Sequence, residues 1–139
     1  MKEYYVIHNL NRSQRDELFE LYKKEWWTSD RSREDVDNFL KYSTFYIAFI
    51  DKCSQELIGF SRVLTDTIGL AYIYDVITRE DHRKQGLGCE LIEETLNHSL
   101  MNDVKMVELV CHDSMCEFYH KFGFSADYQD NRVPMRLYK

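Results

Sequence analysis

Three consecutive runs rich in β-branched and aromatic residues, at positions 46–50, 57–64 and 71–78, constrain this chain most tightly. Short polar or glycine-containing stretches separate them, as hairpins or a meander require. Around them the period changes. Residues 4–8 read as a first strand, and then Ser13 with Asp16 resembles a capping box ahead of Leu18, Phe19, Leu21 and Tyr22 at helical spacing. Ser32 with Asp35 repeats that signal before Val36, Phe39 and Leu40, so a second helix is expected. The segment between the two helices, 25–31, is aromatic and irregular.

After the third run, residues 88–100 carry Leu91, Ile92, Leu96 and Leu100 at helical spacing. Residues 104–111 read as a strand. Ser114 with Glu117 forms a third capping box, opening a short helix through Phe118 and Tyr119 that ends near Gly123. Residues 124–128 and 133–138 complete the chain as strands. The order is β-α-α-β-β-β-α-β-α-β-β. It predicts an α+β fold, a mixed central sheet of six to seven strands flanked by about four helices.

With 139 residues the chain has the size of one domain, and it shows no linker, repeat or low-complexity tract. A single domain over 1–139 is expected. The hydrophobic fraction of 44% is too high for a disordered chain, which lacks apolar surface to offset conformational entropy. A net charge of −6 argues against nucleic acid as the main partner and suits a cationic small substrate better. No apolar run approaches the roughly 20 residues that span a bilayer, and the amino terminus lacks a signal-peptide core, so no membrane partner is expected. The four cysteines, Cys53, Cys89, Cys111 and Cys116, form no CxxC pair and read as free thiols in a reducing cytoplasm. Cys111 and His112 with Cys116 suggest a metal site only in outline, because no second pair completes a tetrahedral set; no metal is expected.

The run ending near Thr78 leads through Arg79, Glu80, Asp81 and His82 into Arg83-Lys84-Gln85-Gly86-Leu87-Gly88, and a helix follows. Helix amino termini expose unpaired N–H groups and the positive end of the dipole, so they bind phosphate. Glycine at 86 and 88 removes the Cβ atoms that would hold an anion off that backbone. Arg83 and Lys84 add charge-assisted contacts. A Walker loop needs Gly-Lys-Ser/Thr after a four-residue gap, which is absent. The dinucleotide fingerprint needs a small residue three positions after Gly88, and Leu91 stands there instead.

The segment Asp75-Val76-Ile77-Thr78-Arg79-Glu80-Asp81-His82-Arg83-Lys84-Gln85-Gly86-Leu87-Gly88 resembles the central motif of the GNAT superfamily of N-acetyltransferases, whose Arg/Gln-x-x-Gly-x-Gly/Ala is matched at Arg83, Gly86 and Gly88. Phe118-Tyr119-His120-Lys121-Phe122-Gly123-Phe124 resembles its second motif, Phe-Tyr-x-Lys-x-Gly-Phe, at the family's usual separation. The resemblance implies an acetyl-CoA-dependent N-acetyltransferase acting on a primary amine of a small molecule, which the free thiols place in the cytoplasm. It implies that the backbone of Asp75, Val76 and Ile77 pairs with the pantetheine arm, and that Arg83, Lys84, Gln85, Gly86, Leu87 and Gly88 hold the pyrophosphate. Tyr119 corresponds to the acid that protonates the departing thiolate; a phenol with a pKa of about 10 keeps its proton at neutral pH. His112 stands where the family commonly has an asparagine that contacts the cofactor arm.

The amine must lose a proton, and Asp75 and Glu108 are the candidate bases, with His112 a third. Glu108 lies one residue nearer the tyrosine than the family's usual glutamate. The resemblance puts the acceptor between the first two helices and the central strands, where Glu25, Trp26, Trp27, Arg31, Arg33, Arg62 and Asp66 lie. The tryptophans would form a flat apolar wall. Arg31 and Arg62 would hold a carboxylate or phosphate; the acids would instead favour a polyamine, and the sequence leaves both open. The rival readings are a protein amine as acceptor, a non-catalytic acyl-CoA-binding module, and an interaction protein, with a homodimer through the terminal strands.

Overall fold

The strand-forming runs pair in the order in which they occur. The structure, a computed structural model describing residues 1–139, has β1 (Tyr4–Ile7), α1 (Arg12–Lys24), α2 (Arg33–Tyr42), β2 (Phe45–Asp51), β3 (Leu57–Thr65), β4 (Leu70–Thr78), α3 (Leu87–Leu96), β5 (Met106–Glu108) and α4 (Cys116–His120). The sheet order is β1-β2-β3-β4-β5. The first four strands are antiparallel neighbours, while β5 runs parallel to β4. Parallel neighbours need a crossover, and α3 supplies it. The chain divides into two compact units, residues 1–109 and 110–139, with the whole sheet in the first.

Alternation along the strands gives the sheet two apolar faces. On one face, Tyr46, Ala48, Phe60 and Ile77 pack in one buried cluster with Leu18, Leu21 and Tyr22 of α1 and Val36 of α2. On the other, α3 buries Leu91, Ile92 and Thr95, and Ser61 Oγ lies 2.7 Å from Thr95 Oγ1. That bond satisfies two buried hydroxyls at once.

Helix starts differ in detail from the expectation. The capping box of α1 is formed by Asn11 and Gln14, not by Ser13 and Asp16: Asn11 Oδ1 accepts from the Gln14 N–H, and Gln14 takes the Asn11 N–H. Asparagine is as good a cap as serine, and Asn11 stands two residues before Ser13. The box at Ser32 and Asp35 forms as read. Helix α3 begins at Leu87 and stops at Leu96, short of Leu100, and a separate 3-10 turn follows at Ser99–Met101.

In the second unit, the box expected at Ser114 and Glu117 is absent. Instead the His112 ring accepts from the Ser114 N–H and caps a 3-10 turn at Asp113–Met115, which leads into α4. Gly123 sits at φ 91° just past α4, where its N–H and that of Phe124 bond back to His120 and Tyr119 carbonyls, a glycine-dependent stop. Residues 124–128 and 133–138 are not strands, so the sheet has five strands and not six to seven. The apolar alternation of Val133, Met135 and Leu137 is present, but all three are exposed. A run without a ladder partner gains nothing from extension, and Pro134 has no N–H to contribute to one.

Phe60 is fully buried between the Tyr22 and Tyr46 rings, at centroid distances of 6.3 and 5.7 Å. Phe60→Ala removes that ring from the centre of the larger face. We expect a loss of about 3–5 kcal/mol in a urea melt, with the slope of the transition unchanged.

Candidate active site

The parallel pairing of β4 with β5 covers only Leu70, Ala71 and Tyr72, the last opposite Glu108. Residues 73–78 of β4 therefore have no ladder partner on that side. On the other side the register with β3 slips: Arg62 faces Tyr74, but Phe60 faces Ile77, so β4 carries one extra residue there. The bulge falls at Asp75, whose φ is 57°. Left-handed backbone costs an ordinary L-residue about 1–2 kcal/mol, and Asp and Asn tolerate it best among non-glycine residues. Asp75 and Val76 fall between the paired positions. Ile77 is buried in the core and Val76 is half-buried.

This open edge runs directly toward the turn at 83–88. Gly86 caps α3 with φ 81° and offers no side chain, so no side-chain acceptor occupies the first N–H groups of the helix. A Cβ at Gly86 would meet nothing within 4 Å; glycine is favoured there by backbone conformation and leaves the approach clear. Lys84 is also left-handed, at φ 62°. Leu87 is buried and anchors the turn, whereas Arg83, Lys84, Gln85 and Gly86 are exposed and Gly88 is half-buried. Arg83 is ion-paired with Glu25 at the end of α1, and its Nε donates to the Thr78 carbonyl at 3.1 Å. The residues present thus fit a phosphate group: free helix N–H groups, an unobstructed glycine and two cations.

Asp75 holds the bulge through its side chain. Its Oδ2 accepts from the Tyr22 hydroxyl at 2.9 Å, from Arg31 at 2.6 Å and from Arg62 Nε at 2.6 Å, and its Oδ1 accepts from Arg31 at 2.9 Å. Burial alone would raise the carboxyl pKa, but the hydrogen bonds from Arg31 and the charge of Arg62 outweigh it and hold the group below the usual carboxylate range. A carboxylate engaged by four donors is a poor proton acceptor. The Tyr22 phenol is driven the other way, well up from its ordinary value, first by burial and then by the Asp75 charge. The Arg31 guanidinium lies 4.6 Å from the Tyr22 ring and 4.5 Å from Phe39, and that of Arg62 lies 4.5 Å from Phe39 and 4.6 Å from Tyr74. The bulge explains the geometry: it lets Tyr74 and Asp75, adjacent in sequence, both reach Arg62.

The other expected site residues fall as follows. Trp26 and Trp27 are exposed, by 75% and 40%. Glu108 closes β5, and its Oε1 is buried with no hydrogen-bond partner. In the second unit, Tyr119 is buried on α4, its ring edge-on to Phe118 and Phe124 at 5.0 and 5.9 Å. Burial, with a smaller contribution from Cys111, pushes its phenol up to about 12. His112 is taken up as a turn cap. Reading the sequence did not find the roles of Tyr22 and Phe39, which looked like ordinary apolar positions of α1 and α2, or the Glu25–Arg83 pair. The visible signal for the clamp was an aspartate inside an otherwise apolar and aromatic run.

A profile of the family described as Acetyltransferase (GNAT) matches residues 9–124. The chain is 33% identical over 73 residues to GCN5-related N-acetyltransferase 2, chloroplastic, of Arabidopsis thaliana, which covers 52% of this chain and 28% of that protein. It is 29% identical over 113 residues to the uncharacterized N-acetyltransferase ycf52 of Porphyra purpurea, covering 80% of this chain and 64% of the relative. It thus spans less than two thirds of the length of either. Among solved structures, one from Xanthomonas campestris, whose name places it with the GNAT acetyltransferases, superposes with a TM-score of 0.79 at 20% identity over 96% of this chain and 94% of that one. An aminoglycoside 6'-N-acetyltransferase complexed with coenzyme A gives a TM-score of 0.57 at 21% identity, over 66% and 52%. At these identities the structures show a shared fold.

Removing the Asp75 carboxylate leaves two buried guanidiniums without a counter-charge. Asp75→Ala should cost about 3–5 kcal/mol at neutral pH. Because the folded-state pKa is depressed, the stabilisation is present above the unfolded value of about 3.9 and lost as pH falls through the lower folded value. Thermal melts of both proteins should therefore differ widely at pH 7 and converge in strong acid; a pH-independent gap would contradict the charge assignment.

Proposed function

Because the chain belongs to the GNAT acetyltransferase family, we propose that it transfers the acetyl group of acetyl-CoA to a primary amine of a small molecule. The observation that carries this reading is the open edge of β4 at 73–78 leading straight to the uncapped amino terminus of α3. An extended amide-containing arm can add to such an edge as a strand does, while its pyrophosphate takes the N–H groups at Gly86, Leu87 and Gly88. Arg83 and Lys84 add charge. The Arg83–Glu25 pair, partly exposed on both sides, is weak enough to exchange for phosphate. The coenzyme A bound to the aminoglycoside enzyme of like fold is consistent with this donor.

In the reaction the neutral amine attacks the thioester carbonyl, a C–N bond forms, and the C–S bond breaks. The proton lost by nitrogen goes to a carboxylate, directly or through water, and the sulfur takes one from the acid. We assign the base to Glu108, whose buried Oε1 has no partner, and not to Asp75, whose carboxylate is committed to Arg31, Arg62 and Tyr22. Tyr119 is assigned the acid role; its pKa near 12 keeps the proton in place across the working range. His112, a turn cap, is left to position the loop before α4. We read residues 1–139 as one catalytic domain, since the family match over 9–124 extends from the first unit into the second. No helix is long and apolar enough to cross a membrane, and the unpaired cysteines suit a reducing compartment such as the cytoplasm.

The test is release of free thiol from acetyl-CoA with a panel of polyamines, amino acids, aminoglycosides and arylalkylamines. Silence across the panel despite acetyl-CoA raising the melting temperature would favour a binding module or a protein acceptor. Tyr119→Phe should lower kcat about 10²–10⁴-fold while leaving acetyl-CoA affinity intact; unchanged turnover would remove the acid assignment. Glu108→Gln should lower kcat by a similar factor with acetyl-CoA affinity intact; unchanged turnover would mean that the base lies elsewhere.

A further inference from the structure

The sequence left two acceptor classes open, an anionic amine held by arginine or a polyamine held by acids. The charges that the fold brings together separate them. Arg31 and Arg62 each form an ion pair with Asp75, and no other carboxylate pairs with either. Two guanidiniums against one carboxylate leave one net positive charge. All three side chains are largely withdrawn from water, with relative exposures of 18%, 8% and 2%. The rings packed against the pair, those of Tyr22, Phe39 and Tyr74, present neutral aromatic faces, and the Tyr22 phenol donates its proton to Asp75.

A buried excess charge is costly unless it meets an opposite one, and clusters of this kind mark binding sites. The Asp75 carboxylate already accepts four hydrogen bonds, three of them on Oδ2, so it is committed to the groups around it. Arg62 gives it only Nε, and its two terminal amino groups have no protein acceptor. They form the planar fork that matches a carboxylate or phosphate with two parallel bonds. The overall charge of −6 points the other way. That field comes from exposed groups and is screened beyond about 10 Å, whereas charges inside the fold are screened much less. The local excess decides.

We infer that the cluster of Arg31, Arg62 and Asp75 is an anion subsite of the acceptor, so that the amine acetylated carries a carboxylate or phosphate. This rests on the acetyl-transfer reading for the identity of the bound molecule as acceptor; the anion subsite itself does not depend on turnover. The bulge at Asp75 sets the subsite on β4 itself, beside the edge assigned to the donor, so the anion fixes the acceptor's position relative to the thioester. A polyamine would bring cations against an uncompensated cation.

The experiment uses acceptor pairs that differ in the anion: alanine against alaninamide, and glucosamine 6-phosphate against glucosamine. With acetyl-CoA and thiol detection, the anionic member of at least one pair should have kcat/KM higher by about tenfold or more, the size of one charge-assisted contact of about 1.4 kcal/mol. Which pair shows it distinguishes carboxylate from phosphate. Arg62→Lys, which keeps the charge and loses the fork, should shrink that ratio; Arg62→Met should bring it toward one, provided its melting curve shows a folded chain. Melting of the wild-type chain with each compound supplies a second readout. Anionic members should stabilise it more than their neutral partners at equal ionic strength, and Arg62→Lys should reduce the difference. Equal rates within both pairs, or faster reaction of the neutral members, overturn the anion subsite while leaving acetyl transfer intact. If no pair releases thiol, the transfer reading fails for these amines, and the melting difference alone decides: its presence upholds the subsite and its absence removes it.

Discussion

The interaction on which this structure turns is the carboxylate of Asp75 against two guanidiniums and a phenol. A strand with an aspartate at φ 57° is strained, and a bulge in the middle of a sheet forfeits ladder bonds. Something must hold it. Four hydrogen bonds, three of them to charged groups, do so, and each is worth more than a neutral bond because both partners are withdrawn from water. The clamp also ties together four elements that share no local sequence: α1 through Tyr22, the loop after it through Arg31, β3 through Arg62, and β4. The bulge moves residues 75 and 76 out of register with β3, while β5 has already ended at Glu108 on the opposite side. The same stretch of backbone is thereby released from one ladder and left uncovered by the other.

The turn at 83–88 completes that arrangement by the opposite means, an absence of side chains. Asn11 and Ser32 cap α1 and α2 with their own oxygens, but Gly86 contributes none to α3. In α1 and α2 the first N–H groups are satisfied internally and the helix gains stability. In α3 no side chain satisfies them, so they stay open to the anion proposed there, and the stability that a cap would add, about 1 kcal/mol, is forgone. Leu87, buried directly after the glycine, prevents the loose start from fraying.

The sequence made the helices and the first four strands legible because their signals are local: Ser32 with Asp35, the spacing of Leu91 and Ile92, the runs at 46–50, 57–64 and 71–78. The turn was legible for the same reason. What could not be read depends on pairing. Residues 133–138 alternate as a strand does, yet nothing in that alternation says whether a ladder partner exists. Asp75 looked like a base because a lone carboxylate beside a candidate thioester site is a reasonable one. Only the fold brings Arg31, 44 positions away, and Tyr22, 53 positions away, to neutralise it. Conversely, Glu108 looked misplaced by one residue, and what supports it as the proposed base is the buried, unpartnered oxygen that no spacing rule reveals.

The same argument from burial bears on Tyr119. The Tyr119 phenol, pushed up to about 12 by burial, is mismatched to an ordinary thiol of about 8.5, so in the acid role proposed for it transfer to a solvated thiolate would run uphill. The mismatch applies only to a solvated thiolate. The apolar surroundings that raise the phenol, Phe118 and Phe124 among them, disfavour any anion, and a sulfur leaving beside that ring would be raised for the same reason. The two values then move together, and the gap that governs transfer is smaller than the one in water. In the role proposed for Tyr119, transfer would be coupled to the loss of the C–S bond, because a tightly held proton moves only as negative charge develops on sulfur. A buried tyrosine is therefore suited to protonating the leaving group late and to sparing the thioester early, which an ordinary carboxylic acid, ionised at neutral pH, would not do.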